Sequence, residues 1–292
     1  MLDSRSTSPS RSPTWFAPRS SAVRAFDLVA TWPVDNVSAA VIDRHGEIHF
    51  HGDESQEFRL ASVTKVIAAW ATLVACEEGT VSLDDKVGRE GCTLRHLLAH
   101  AGGYPFEGEA PVGAVEAKRI YSNTGYELAA AHLAAQSEID FWHYVQAAVF
   151  EPLGIVASPQ SGSAAKDARL DIVGMSLFLA EMRRPRLIAR DTFVDAVTPQ
   201  FGELEGVVPG VGRFDPCPWG LGPEIRGGKS PHWTSPRNSA VTYGHFGGSG
   251  TFVWVDPIAD VACAVLTDRE FDDWALAHWP EFSSAVLDEF SR

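Results

Sequence analysis

Cysteine is scarce in this chain. Cys76, Cys92, Cys217 and Cys263 stand far apart, with no metal-type spacing and none of the density of a disulfide scaffold. They read as free, mostly buried thiols. Long apolar runs are missing too, since no stretch approaches the ~18 apolar residues needed to span a bilayer. Met1 to Ser21 is rich in Ser, Arg and Pro and lacks an apolar core or a small-residue cleavage site. It therefore reads as a disordered tail over residues 1–20 rather than as a secretory signal. Positive charge is in deficit: 24 Lys and Arg stand against 38 Asp and Glu, for a net charge of −14. That argues against nucleic acid or an anionic membrane surface as a partner. Together these absences predict a cytoplasmic protein; they leave its oligomeric state open.

What is present is enough for a sizeable core. The 292 residues are 45% hydrophobic and 21% charged, ordinary for a globular chain of one large or two intertwined domains. Helical spacing is expected from Ser21 to Trp32. Strands are expected over 37–42 and 47–51, joined by a turn at Asp43-Arg44-His45-Gly46. A buried helix from Ser62 to Glu78 follows, with Gly79 as the residue that ends it. Thr93 caps a short helix ending near Gly102-Gly103. Further helices are expected over 124–136, 140–150, 167–182 and 191–197, then a Gly/Pro-rich connection from Thr198 to Pro218 with little regular structure. Strands return over 240–246, 250–256 and 260–267, before an amphipathic helix from Asp272 to Phe290. Strands at both ends with helices between predict an α/β domain from residues 21–85 and 235–292. A mostly helical domain, 86–234, would be inserted into it.

The chemistry begins at Ser62-Val63-Thr64-Lys65. On a helix, positions i and i+3 share a face, so the Ser62 hydroxyl and the Lys65 ammonium can meet. A serine needs a base to become a nucleophile, and a buried lysine can supply one because desolvation lowers its pKa. Ser163-Ala164-Ala165-Lys166 repeats the pattern. It sits among Pro, Gln, Ser and Gly, so its serine is expected to face water or cap a helix. The Ser62 copy opens the apolar run Val66, Ile67, Ala68, Ala69, Trp70, Leu73 and Val74, which marks a central helix. A buried helix N-terminus offers amide donors to an oxyanion. Two further groups stand out. Tyr121-Ser122-Asn123 supplies a phenol that can relay a proton and an amide that can orient a lysine. His245-Phe246-Gly247 ends an apparent strand, where glycine would let a substrate lie along the edge. His96 and His100 lack the glutamate of a zinc-protease motif. They read as structural, with His100 fixing the Gly102-Gly103 turn.

In this order, Ser62-x-x-Lys65, Tyr121-x-Asn123 and His245-x-Gly247 resemble the three motifs of the β-lactamase and penicillin-binding serine hydrolase superfamily. The resemblance is to the branch with class C β-lactamases, D-alanyl-D-alanine carboxypeptidases and related esterases. Leu97-Leu98-Ala99-His100 with Gly102-Gly103, Phe150-Glu151-Pro152-Leu153-Gly154, Trp219-Gly220-Leu221-Gly222 and Val255-Asp256-Pro257 resemble phrases of the same family, so the likeness runs from about Val37 to Thr267. It implies an antiparallel sheet flanked by helices, with an inserted all-helical domain. It also implies Ser62 as acyl-accepting nucleophile, Lys65 as its proton acceptor, and Tyr121 as the group that protonates the leaving group and activates water. Asn123, His245, Gly247 and Gly248 would bind substrate, with the amides of Ser62 and Gly248 forming the oxyanion hole. No cofactor or metal is implied.

One departure shapes the expected substrate. His245 stands where many β-lactamases have lysine, and histidine is mostly neutral at pH 7. A fixed charge for a penicillin carboxylate is then lacking. The expected activity is therefore hydrolysis of a small ester or amide, with a β-lactam or D-Ala-D-Ala peptide as the alternative. A binding or regulatory protein that keeps the fold without turnover is the second alternative.

Overall fold

The computed structural model describes residues 23–291. The tail expected over 1–20 lies outside them. In chain order, α1 (Phe26–Val29) is one turn long, and β1 (Val37–Ile42) and β2 (Ile48–His51) form a hairpin. Gly46 turns that hairpin at φ +84°, a left-handed conformation that glycine adopts without strain. The short β3 (Phe58–Arg59) leads through a single 3-10 turn, Ala61–Val63, into α2 (Thr64–Glu77). Then come α3 (Leu94–Leu98), α4 (Asn123–Ser137), α5 (Phe141–Val145) and α6 (Glu151–Leu153), the last two joined by a π-turn at Gln146–Phe150. β4 (Arg169–Leu170), α7 (Ile172–Arg183) and α8 (Arg190–Ala196) follow. Last are β5 (Gly206–Val208), β6 (Gly212–Phe214), β7 (Glu224–Ile225), β8 (Tyr243–Gly247), β9 (Thr251–Asp256), β10 (Val261–Thr267) and α9 (Asp273–Phe290).

The main sheet has six antiparallel strands in the order β2-β1-β10-β9-β8-β7. The first and last strands of the chain pair in its centre, with Val37 opposite Thr267 and Ile42 opposite Ala262. Every residue of β9 and β10 is buried, because both faces of the sheet are covered. Ala39, Val41, Phe252, Trp254 and Val265 face one apolar cluster with Trp279, Phe282 and Val286 of α9. Ala40, Val253, Ala264 and Leu266 face a second cluster that continues through Val66, Trp70 and Leu73 of α2 to Phe150 and Phe178. α2 is thus wrapped on all sides, which explains its near-continuous apolar sequence.

Several details differ from expectation. Ser62 precedes the α-helix rather than opening it, because the chain takes a 3-10 turn there. The residues around Arg169 and Leu170 extend to pair with Phe58–Arg59 before α7 begins. The Thr198–Pro218 connection holds the β5–β6 hairpin, and the buried Arg119 anchors it. The Arg119 guanidinium donates to the carbonyls of Cys217 (2.6 Å), Gln200 (2.7 Å), Phe201 (3.0 Å) and Ala99. Five donors in a rigid fork suit such a role. The sixth strand, β7, lies between residues 86 and 234 and is only two residues long. All four cysteines are free, and three of them are buried. Among the described residues, no helix is long and apolar enough to cross a membrane.

Candidate active site

The Ser62 segment is held from two sides. From the hairpin after β8, Thr251 Oγ1 donates to the Leu60 carbonyl (2.8 Å) and Ser249 Oγ to that of Arg59 (2.6 Å). From the segment before β4, Ala168 donates its amide to Thr64 Oγ1 (3.1 Å) and accepts from the Leu60 amide (2.9 Å). Between these supports Ala61 takes φ +45°, a conformation that costs a non-glycine residue about 1–3 kcal/mol. The turn at Ser62 is therefore tensioned and over-determined by its surroundings.

Lys65 is fully buried, 0% exposed. Its Nζ lies 2.6 Å from Asn123 Oδ1, 3.0 Å from the Ala165 carbonyl and 3.4 Å from Ser62 Oγ. Burial pushes its pKa down to about 7, with Lys166 adding to the effect while Glu127 and Glu107 oppose it. A neutral amine has two N–H donors and one lone pair. Asn123 and Ala165 accept the two donors, which leaves the lone pair for the Ser62 hydroxyl. The Nζ also stands 4.7 Å from the centre of the Tyr121 ring, a cation–π contact for the protonated form.

Tyr121 and Asn123 are positioned by the start of α4. Ser122 caps that helix, its Oγ accepting from the Gly125 amide (2.9 Å), so Asn123 is the first helical residue. The Tyr-x-Asn spacing thus places one side chain before the cap and the other just after it. Burial raises the Tyr121 phenol well above its ordinary value, although the nearby Ser62 hydroxyl opposes the shift. The phenol is protonated at neutral pH. Its hydroxyl lies 3.5 Å from His245 Nε2, while His245 Nδ1 donates to the Phe246 carbonyl (2.7 Å). That second bond fixes the tautomer and leaves Nε2 as the acceptor. Burial pushes His245 down to about 3, with Lys65 adding to the effect, so the imidazole is neutral.

The edge of β8 is open beside this cluster. β7 pairs only with Tyr243 and Gly244, so among the described residues His245 to Gly247 have no partner strand on that side. The need for glycine at 247 is more specific than expected. A Cβ there would stand 2.3 Å from the Leu60 carbonyl oxygen and 3.1 Å from Ala61 Cβ. Gly247 allows the strand to approach the Ser62 turn. Gly248 is exposed, and a Cβ there would meet nothing within 4 Å.

All seven expected residues therefore fall in one region around Ser62. The residue pattern missed several neighbours. Glu107 accepts from Asn123 Nδ2 (3.3 Å) and pairs with Lys166 Nζ (2.5 Å). Trp219 packs against both Tyr121 and His245. The Ser163 copy of the motif provides neither nucleophile nor base at the site: Ser163 Oγ accepts from the Ala165 amide (3.1 Å) and bonds Glu127. Its segment instead forms the wall that presents the Ala165 carbonyl to Lys65. His100 does not fix the glycine pair as expected. It reaches the Tyr121 loop, with Nδ1 accepting from the Ser122 amide (3.1 Å).

A six-stranded antiparallel sheet closed by both chain ends, with a buried Ser-x-x-Lys turn beside it, defines a β-lactamase-like fold. The sequence model of the family described as Beta-lactamase matches residues 33–174. A β-lactamase structure from Mycobacterium bovis is 44% identical over 92% of this chain and 100% of that one, with a TM-score of 0.90. The chain belongs to the β-lactamase family, whose members are serine hydrolases. Penicillin-binding protein 4* of Bacillus subtilis (strain 168) is 28% identical in a match covering 34% of this chain. That match spans 29% of the relative's own length. Unliganded simvastatin synthase of Aspergillus terreus shares the fold at 15% identity and a TM-score of 0.74, covering 91% of this chain and 97% of that one.

Proposed function

We propose that the protein hydrolyses small esters or amides through an acyl-Ser62 intermediate. The observation that carries this reading is the buried Lys65 amine, bonded to Asn123 and Ala165 and 3.4 Å from Ser62 Oγ. The neutral amine takes the hydroxyl proton as Oγ attacks the substrate carbonyl carbon. The amides of Ser62 and Gly248 hold the developing oxyanion, worth about 3 kcal/mol per donor. As the carbonyl–oxygen (or carbonyl–nitrogen) bond breaks, the protonated Tyr121 phenol gives its proton to the leaving atom and is recharged from the Lys65 ammonium. Water then enters in place of the leaving group. Its oxygen bonds the acyl carbon while its proton passes through Tyr121 to Lys65, which returns it to Ser62 Oγ as the carbon–Oγ bond breaks and the acid departs.

A β-lactam or D-Ala-D-Ala substrate is the second reading. It is favoured by the relative from Mycobacterium bovis described as a β-lactamase, and opposed by the neutral His245. The test is labelling with a fluorophosphonate and with a fluorescent penicillin, followed by peptide mapping. The ester reading expects fluorophosphonate on Ser62, with neither a stable penicillin adduct nor rapid nitrocefin hydrolysis. Ser62→Ala should lose nearly all p-nitrophenyl ester turnover while staying folded. Retained turnover in that variant would sink the assignment.

A further inference from the structure

His100 is the most conspicuous buried group that the proposed steps do not use. Three features of it are unfavourable in isolation. Its backbone is left-handed, at φ +57°, a region that few non-glycine residues adopt, histidine more readily than most. Its imidazole is only 1% exposed, and its Nε2 is buried with no hydrogen-bond partner among the described residues. Such costs persist where the surroundings enforce them, and they cluster at functional sites.

What His100 touches is the Tyr121 loop, on three sides. Nδ1 accepts from the Ser122 amide (3.1 Å) and the backbone carbonyl accepts from the Ile120 amide (3.0 Å). The ring packs on Tyr121 at 4.5 Å between centroids and edge-on to Trp219 at 5.0 Å. The residues before and after Tyr121 are therefore bonded to one histidine, and the phenol ring lies against its face. The accepting Nδ1 requires a neutral ring with its proton on Nε2. Burial holds His100 well below its ordinary value, and the nearby Lys65 and Arg119 act in the same direction.

We propose that His100 is a positioning residue. It clamps the Ile120–Ser122 backbone and one face of the Tyr121 ring, so that the phenol hydroxyl is aimed at the leaving atom of the substrate. The proposal rests on the reading of Tyr121 as the acid that protonates the leaving group. It departs from a purely architectural role because a misplaced acid has a specific signature. A leaving group that departs readily as an anion hardly needs the proton, whereas an alkoxide needs it fully. General acid catalysis contributes roughly 10²–10⁴-fold where it is needed.

The experiment compares kcat/KM for the ethyl and p-nitrophenyl esters of one acid. The protein is tested as His100→Ala, His100→Asn, Tyr121→Phe and the His100→Ala/Tyr121→Phe pair. Stoichiometric fluorophosphonate labelling of Ser62 checks that each variant is folded. His100→Ala should lose roughly 100-fold on the ethyl ester and under tenfold on the p-nitrophenyl ester. KM should change little, and adding it to Tyr121→Phe should cost under threefold more. Asparagine tolerates left-handed backbone and carries an acceptor oxygen near the Nδ1 position, so His100→Asn should restore most of the ethyl ester rate. Equal losses on both esters beside a discriminating Tyr121→Phe overturn the proposal alone. So does an Asn variant no better than Ala, or loss of Ser62 labelling in both His100 variants. A Tyr121→Phe variant that labels normally but treats both esters alike removes Tyr121 as the acid, and the proposal with it.

Discussion

If Lys65 is the base for Ser62, its ionisation should be written into the pH dependence of acylation. Burial takes its pKa from 10.5 to about 7. That shift corresponds to about 5 kcal/mol against the ammonium form in the fold, at 1.36 kcal/mol per unit. Only the neutral amine can accept the Ser62 proton, so about a tenth of the enzyme is competent at pH 6 and about nine tenths at pH 8. A log plot of kcat/KM for a neutral ester should rise with unit slope to about pH 7 and then flatten. No other group at the site places a limb there, since His245 sits at about 3. The same shift governs stability. Between pH 7 and about 10.5 the unfolded chain holds a Lys65 proton that the folded chain lacks, so stability rises with pH across that window. Below pH 7 both states are protonated, and the fold bears the full cost. Lys65→Met should therefore be inactive, and should gain most over the parent protein at low pH in urea titrations. Its advantage should shrink as pH climbs from 7 towards 10. A rate limb at pH 5 or at pH 9, or a stability difference that does not change with pH, would refute the reasoning.

Three other substitutions test the surroundings of that pair. Gly247→Ala should cost about 2–4 kcal/mol in urea unfolding and most of the ester turnover, because its Cβ would meet the Leu60 carbonyl oxygen at 2.3 Å; a difference under 0.5 kcal/mol would show that the approach is not tight. His245→Lys should place an ammonium near the Tyr121 hydroxyl and raise the labelling rate by an anionic fluorescent penicillin about tenfold or more; no change would mean that charge at this position is not what limits β-lactam binding. Glu224 is fully buried, yet Lys229 (2.9 Å) and His232 (3.1 Å) outweigh its desolvation and hold its carboxyl well below the usual range. Glu224→Gln leaves Lys229 buried without its counter-charge and should cost about 3–5 kcal/mol in urea unfolding at pH 7. In the parent protein that contribution should be present in full above the ordinary carboxylate value of 4.5 and decline progressively below it, disappearing only at the depressed value; complete loss near pH 4.5 would contradict the pairing.

The periodicity of the sequence carried the sheet well, because β9 and β10 are continuous apolar runs bounded by turn residues. It carried the edges poorly. β7 is two residues long, and β3 and β4 are equally short. Strands of that length have no alternation to detect and form because a neighbouring element offers them a free edge. The helix expected to begin at Asp167 begins at Ile172 for the same reason. Residues 169 and 170 are claimed by Phe58 and Arg59, a pairing across more than a hundred residues that local pattern cannot contain.

The candidate site divides along a related line. Ser62, Lys65, Tyr121 and Asn123 were legible as candidates because their proposed roles require particular side chains at fixed local spacing. What holds them is largely backbone: the Ala165 carbonyl on Lys65, the Ser122 amide on His100, the Leu60 carbonyl against Gly247. Any residue supplies a carbonyl, so alanine at 165 gives no signal of its contact. The repeated Ser163-Ala164-Ala165-Lys166 illustrates the point. Its serine and lysine repeat the spacing of Ser62 and Lys65, yet the group that reaches Lys65 is the carbonyl of the alanine between them. Its lysine matters through Glu107, whose Oε1 accepts from both Lys166 and Asn123, the residue bonded to Lys65. Lys65 is thus surrounded by groups whose identity is fixed by the path of the chain rather than by the chemistry they perform. Substitution at Ala165 should therefore matter only as far as it moves the carbonyl, whereas substitution at Asn123 removes the acceptor itself.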